Sequence, residues 1–146
     1  MKLAALVQFT FFGALCIYYG DEIGLTGGYD PGCRKGMKWD PDRQNRDLLA
    51  FYRWLIALRR GAETLRTGDF RVLRARRAGD RFARVSAEER YAIGLNNQDE
   101  PATVRLALGE GAWTDVRTSE TPDTADGHAE VVLEPFGFRI LRAAGC

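Results

Sequence analysis

The stretch Cys16-Ile-Tyr-Tyr-Gly-Asp-Glu-Ile-Gly-Leu25 decides how the rest of the chain is read. Leu15 to Tyr19 is a short apolar run without alternation, the pattern of a strand buried on both faces. It ends at Gly20, meets two acids, and enters the loop Gly27-Gly-Tyr-Asp-Pro-Gly-Cys-Arg34. A buried strand that feeds a polar, turn-rich loop is how α/β barrels present functional groups, at the C-terminal ends of their strands. Residues 20–44 are rich in Gly, Asp and Pro, and a loop of that length in a compact domain is usually functional.

Upstream, residues 2–11 read as a mostly apolar helix with Leu3, Leu6, Val7 and Thr10 on one side, broken at Gly13. Met1-Lys2 followed by this run mimics a short signal peptide. Gln8 and Thr10 interrupt its apolar core, and Leu15 is too large to precede a lipidated cysteine. The run is also short of the ~20 apolar residues that span a bilayer. The preferred reading is a buried helix plus strand in a cytoplasmic protein, with secretion as the alternative.

Downstream, Asp42 to Arg60 is the clearest helix. Leu48, Phe51, Tyr52 and Leu55 follow the i, i+3, i+4, i+7 pattern. Asp42 or Asn45 can cap its start, and Asp47 suits the positive end of the dipole. Arg59 and Arg60 suit the negative end, with Gly61 as the residue after it.

After Gly68 the period changes to two. Tyr91, Ile93 and Leu95 alternate with small or polar residues; so do Val104, Leu106 and Leu108, and then Phe136, Phe138 and Ile140. Asn96 to Pro101 is a turn cluster, and Thr118–Gly127 a polar loop. Short strands at this spacing predict an antiparallel sandwich or meander. The boundary falls near residues 62–68, so the fold class is α+β.

The bulk numbers exclude more than they assign. In 146 residues, 45% are apolar and 28% charged, and the net charge is +1. That balance gives no electrostatic case for nucleic acid or an anionic membrane as partner. The many arginines, scattered through the second half, are offset by acids and read as a solvated surface. The three cysteines, Cys16, Cys33 and Cys146, show no CxxC spacing, which argues against a zinc site and a disulfide framework. Cys16 reads as a small core residue and Cys146 as exposed; a Cys16–Cys33 bridge stays open.

Asp21 and Glu22 are neighbours, so in a strand they face opposite ways and form no acid/base pair of the ~5–5.5 Å kind that retaining glycoside hydrolysis needs. The expectation is structural: one acid caps loop amides and the other pairs with an arginine. Asp30 and Arg34 flank a Pro-Gly turn. They either pair with each other or point together at a polyhydroxylated ligand. Trp39, Tyr29 and Tyr18 are either a stacking platform for a sugar ring or core. His128, the only histidine, reads as a surface residue. Ser86 and Ser119 lack a nucleophile-elbow context, and Gly27-Gly28 lacks the Lys-Ser/Thr of a phosphate loop.

Several motifs together resemble the last part of the catalytic barrel of the α-amylase superfamily, glycoside hydrolase family 13. They are Phe9-Thr-Phe11, Ile17 to Gly28, Asp30-Pro31 with Arg34, Met37-Lys-Trp-Asp40 and Phe51-Tyr-Arg-x-Leu-Ile-x-Leu-Arg-Arg60. The nearest branch is that of neopullulanase, cyclomaltodextrinase and maltogenic amylase. Gly68-Asp-Phe-Arg71 and Pro135-Phe-Gly-Phe-Arg-Ile-Leu141 resemble that family's C-terminal sandwich domain. The resemblance implies two parts. Residues 1–64 would be the end of a TIM barrel, with 2–11 its seventh helix, 16–19 its eighth strand and 45–60 its eighth helix. Residues 65–146 would be the β-sandwich.

The resemblance also implies roles. The family's acid and arginine at the positions of Asp30 and Arg34 hydrogen-bond a glucose unit, and its Gly-Asp-Glu is mainly structural. The family usually has prolines near positions 12 and 15, where this chain has Phe12 and Leu15. The family's nucleophilic Asp, acid/base Glu and His-Asp pair lie on earlier strands and have no counterpart here. One strand and two helices cannot close a barrel of eight strands and roughly 250 residues.

The expected function is therefore part of a hydrolase of α-1,4-glucosidic bonds in α-glucans, without catalytic residues, cofactor or metal of its own and inactive alone. A second hypothesis is a non-catalytic carbohydrate-binding module for maltooligosaccharides. A third is a structural remnant. The apolar faces of Leu6, Val7, Ile17, Phe51 and Leu55 must collapse on the sandwich, find a partner (the missing barrel part or a second copy), or stay exposed and sticky.

Overall fold

The computed structural model describes residues 1–74 and 80–144. Cys146 lies outside them. Helix α1 spans Lys2–Thr10 and buries Ala5, Leu6, Phe9 and Thr10. The chain then extends at Phe11 and turns at Gly13, whose φ of 93° suits glycine.

Residues 14–18 have no regular structure, which corrects the expected strand over 15–19. A strand exists only as part of a ladder. Among the described residues none pairs with this run, and the Cys16 carbonyl instead accepts from Gln8 Nε2 at 2.7 Å. Cys16 is exposed rather than core, Cys33 is half-buried, and both are free thiols, so no bridge joins them.

Helix α2 spans Arg46–Gly61. Asn45, not Asp42, is its cap: Leu48 N donates to Asn45 Oδ1 at 2.9 Å. The predicted face is the buried one, with Leu48, Phe51, Tyr52 and Leu55 all inside. Asp42 instead lies in a 3-10 turn, Pro41–Arg43, capped by the Asp40 side chain. Gly61 closes α2 itself, and the short helix α3, Glu63–Thr67, follows.

Among the described residues the second half has eight strands: β1 Asp69–Arg74, β2 Asp80–Val85, β3 Glu89–Leu95, β4 Ala102–Ala107, β5 Thr114–Asp115, β6 Thr124–Ala125, β7 His128–Leu133 and β8 Phe138–Ala144. They form two antiparallel sheets, ordered β1-β2-β3-β8-β5 and β4-β7-β6. Ile93 sits opposite Ile140, and Val104 opposite Val131. The last predicted alternation starts two residues late, because Phe136 lies in a turn and β8 begins at Phe138.

The larger sheet is the middle of three layers. One face (Phe82, Tyr91, Ile93, Leu95, Ile140) packs against Leu6, Phe9, Leu55 and Leu65 of the helices. The other face (Ala92, Leu141, Ala143) packs against Val104, Leu106, Ala129 and Leu133 of the smaller sheet. This period-two division puts both faces of one sheet in apolar surroundings. The helices have thus collapsed on the sandwich: Leu6, Phe51 and Leu55 are buried and Val7 is partly so, while Ile17 remains 38% exposed. The whole is a small α+β unit built mostly of antiparallel sheet.

Candidate functional site

The loop between Tyr18 and Asn45 is shaped by local bonds. Gly20 and Gly24 hold φ of 75° and 70° around a 3-10 turn, Asp21–Ile23. A Cβ on Gly20 would lie 2.8 Å from the Leu25 Cβ, so only glycine closes this turn. The Gly20 carbonyl accepts from Ile23 N and Leu25 N, and Ile23 O accepts from Asn45 N at 3.0 Å, tying the loop to the start of α2. Farther out, Lys35 Nζ donates to Thr26 O at 2.9 Å, and Gln44 Nε2 donates to Lys38 O at 2.6 Å.

At the tip, Gly32 N donates to Tyr29 O and Arg34 N to Pro31 O. These two turns bring Asp30 and Arg34 together, and Arg34 Nη2 lies 2.7 Å from Asp30 Oδ2. Their side chains are 58% and 73% exposed. Of the two alternatives, the pair with each other is the one formed. One guanidinium nitrogen is used, so the rest of the fork and the other carboxylate oxygen face solvent.

The aromatic candidates do not assemble. Tyr29 is 99% exposed, Trp39 81% and Tyr18 61%. Tyr18 meets Tyr19 edge to face at 4.8 Å, but among the described residues Tyr18, Tyr29 and Trp39 share no ring contact. None of the three is core.

Asp21 and Glu22 depart from expectation. Among the described residues neither pairs with an arginine and no amide donates to either carboxylate. Glu22 Oε2 is buried without a hydrogen-bond partner. The Tyr52 hydroxyl has its pKa raised, first by burial and then by the negative charges of Asp21 and Glu22. His128 is half-buried at the start of β7, its Nδ1 2.8 Å from Asp126 O. Among the described residues no group of three or more His, Cys, Asp or Glu could hold a metal ion, and no helix is long and apolar enough to cross a membrane.

Two arginines are buried: Arg84, expected on a solvated surface, and Arg59, expected to suit the negative end of the α2 dipole. Arg59 is 7% exposed and Arg84 0%. Arg59 donates to the carbonyls of Phe9, Phe11, Gly13 and Leu65 at 2.7–2.8 Å. Arg84 donates to those of Thr10, Leu65 and Gly68 at 2.6–2.8 Å. The C-terminal carbonyls of α1, which have no partner within the helix, thus find donors on α2 and β2. Burial lowers both guanidinium pKa values; Arg66 adds to this for Arg59, and Arg59 for Arg84. A phase count could have found them. Arg84 is two residues from inward-facing Phe82, and Arg59 four from Leu55.

No family model matches the chain. Curated relatives do. It is 53% identical over 158 residues to the intracellular maltogenic amylase of Bacillus subtilis (strain 168), covering 98% of this chain and 25% of that protein. It is 37% identical over 145 residues to neopullulanase 2 of Thermoactinomyces vulgaris, covering 96% and 25%. Among solved structures, a cyclomaltodextrinase superposes with a TM-score of 0.86 at 36% identity, over 97% of this chain and 25% of that one. An α-amylase from Geobacillus thermoleovorans, complexed with acarbose, gives 0.86 at 25% identity, over 97% and 32%. The chain spans about a quarter of the length of these curated relatives. It belongs to the α-amylase superfamily of glycoside hydrolases, in the neopullulanase, cyclomaltodextrinase and maltogenic amylase branch, and matches the C-terminal part of those proteins.

Proposed function

We propose that these 146 residues serve as the C-terminal part of a hydrolase of α-1,4-glucosidic bonds in α-glucans. In this reading residues 1–64 complete a (β/α)8 barrel and residues 65–146 form its sandwich domain. The exposed run Leu15–Tyr19 becomes a strand when neighbouring barrel strands flank it. Asp30 and Arg34 contact a glucose unit of the substrate. The chain carries no catalytic carboxylate pair and does not hydrolyse glucan by itself.

The observation that carries this is the solvent-facing Asp30–Arg34 pair at the loop tip, next in sequence to the exposed Tyr29. Unused charged donors and acceptors at an exposed loop tip suit a neutral polyhydroxylated ligand. The acarbose complex of the related α-amylase supports an oligosaccharide as that ligand. A cytoplasmic site of action is part of the proposal, supported by the name of the intracellular relative. The collapse of α1 and α2 onto the sheet favours a second reading, a folded binding or structural unit that stands by itself.

The test is to incubate the chain with maltoheptaose and β-cyclodextrin. No new reducing ends are expected, with weak maltoheptaose binding that Asp30→Ala and Arg34→Ala each abolish at the 29–39 loop. Reducing ends released by the purified chain would overturn the inactive-alone reading. Loop binding unchanged in both variants would overturn the sugar-contact role.

A further inference from the structure

The turn Glu134-Pro135-Phe136-Gly137 holds a bulky side chain where L-residues seldom sit. Phe136 has φ of 52°, a conformation that glycine takes freely and an aromatic residue does not. Two bonds hold it there, Phe136 N to Gln98 O at 3.0 Å and Gly137 N to Glu134 O at 2.8 Å. Burial does not repay the strain, because the ring is 59% exposed. A strained, exposed aromatic points to use by something outside the fold.

The ring stands at the rim of a cleft of about 370 Å³ between β7 and β8. Inside it, the Arg117 guanidinium lies 5.5 Å above the Phe138 ring. Buried Asp115 accepts from the amides of Arg117 and Thr118 through Oδ1, and Arg139 lies 3.2 Å from its Oδ2. These bonds fix the backbone that carries Arg117. The Arg117 guanidinium and the Glu134 carboxylate, both lining the cleft, have no hydrogen-bond or salt-bridge partner among the described residues. An exposed ring, a free donor fork and a free acceptor in one open cleft match a pyranose, which offers an apolar face and vicinal hydroxyls.

We propose that this cleft is a second α-glucan-binding site, on the sandwich and separate from the Asp30–Arg34 loop. Phe136 stacks on one sugar ring, while Arg117 and Glu134 bond its hydroxyls. The choice of glucan rests on the reading that the chain serves an α-glucan hydrolase.

The experiment is a maltoheptaose titration of the chain, followed by amide chemical shifts and calorimetry. Two sets of shifts are expected, one over residues 29–39 and one over 136–139 with Arg117. Phe136→Gly removes the ring, keeps both turn bonds and relieves the backbone, so folding is retained. It should weaken the sandwich site by about tenfold or more, the loss expected from an exposed ring's apolar contact, and leave the loop shifts intact. Arg117→Ala, at an exposed position, should weaken the same set. Shifts confined to 29–39, or sandwich binding unchanged in both variants, would overturn the second site. Shifts confined to 136–139 and Arg117 would sustain it and overturn the loop reading. No shift anywhere would overturn both.

Discussion

Two apolar runs of similar composition, Leu15–Tyr19 and Tyr91–Leu95, end up in opposite states. The second is β3, hydrogen-bonded to β2 on one edge and β8 on the other, with every residue from Tyr91 to Leu95 buried. The first is irregular, and Cys16, Ile17 and Tyr18 are exposed. Side-chain type does not separate them; neighbours do. A strand needs partners for its N–H and C=O groups, and β-propensity reports fit to a sheet already present.

Amide hydrogen exchange would break or sharpen this contrast most directly. Amides of Ala92–Leu95 should exchange only through global opening, and those of Cys16–Tyr19 nearly as fast as an unfolded peptide. For a domain of ordinary stability the gap is about 5 kcal/mol or more. Equal protection of the two runs would mean that Leu15–Tyr19 pairs in solution, by self-association or otherwise.

The next largest effect tests what joins the helices to the sheet. Arg84→Ala removes donors from the carbonyls of Thr10, Leu65 and Gly68 at a site with 0% exposure. Unpaired buried carbonyls and the cavity together should cost about 3–5 kcal/mol, read by urea denaturation. A loss below about 1 kcal/mol would mean that water replaces the guanidinium and that apolar contact alone holds the layers.

Legibility followed the same division between local and non-local causes. Helix α2 was readable because its stripe and its Asn45 cap are local. Strand β4 was readable because one face meets solvent, giving strict alternation. Strand β3 was half readable. Tyr91, Ile93 and Leu95 announced one buried face, while Ala92 and Gly94 on the other are small because the second sheet lies against them. A Cβ on Gly94 would approach Leu106 to 3.3 Å. The burial of Arg84 was hidden because charge alone suggests surface, and that of Arg59 because its fit to the helix dipole says nothing of depth, although their phase on strand and helix points inward. The Asp30–Arg34 spacing singled out both residues, but whether they pair depends on turn geometry that composition does not carry. Phe136 looked like strand because the period-two pattern runs on through a turn.

The smallest effect comes from Tyr91, and it probes the paired side of the contrast alone. The Tyr91 hydroxyl donates to Glu89 Oε2 at 3.2 Å in a partly buried contact. Burial, with Glu89 adding to it, pushes its pKa from 10.0 up to about 12. The folded state therefore holds the phenol proton where the unfolded chain has released it. Below pH 10 both states are protonated, and the contribution to stability is complete. Between about pH 10 and 12 stability should fall by up to about 1.4 kcal/mol per pH unit. Tyr91→Phe keeps the ring and removes the titration, so its stability should fall less steeply over that window. Parallel urea midpoints for the two proteins from pH 9 to 11.5 would mean that the hydroxyl already reaches water, and that β3 is less enclosed between its two layers than the packing of Ala92 and Ile93 requires.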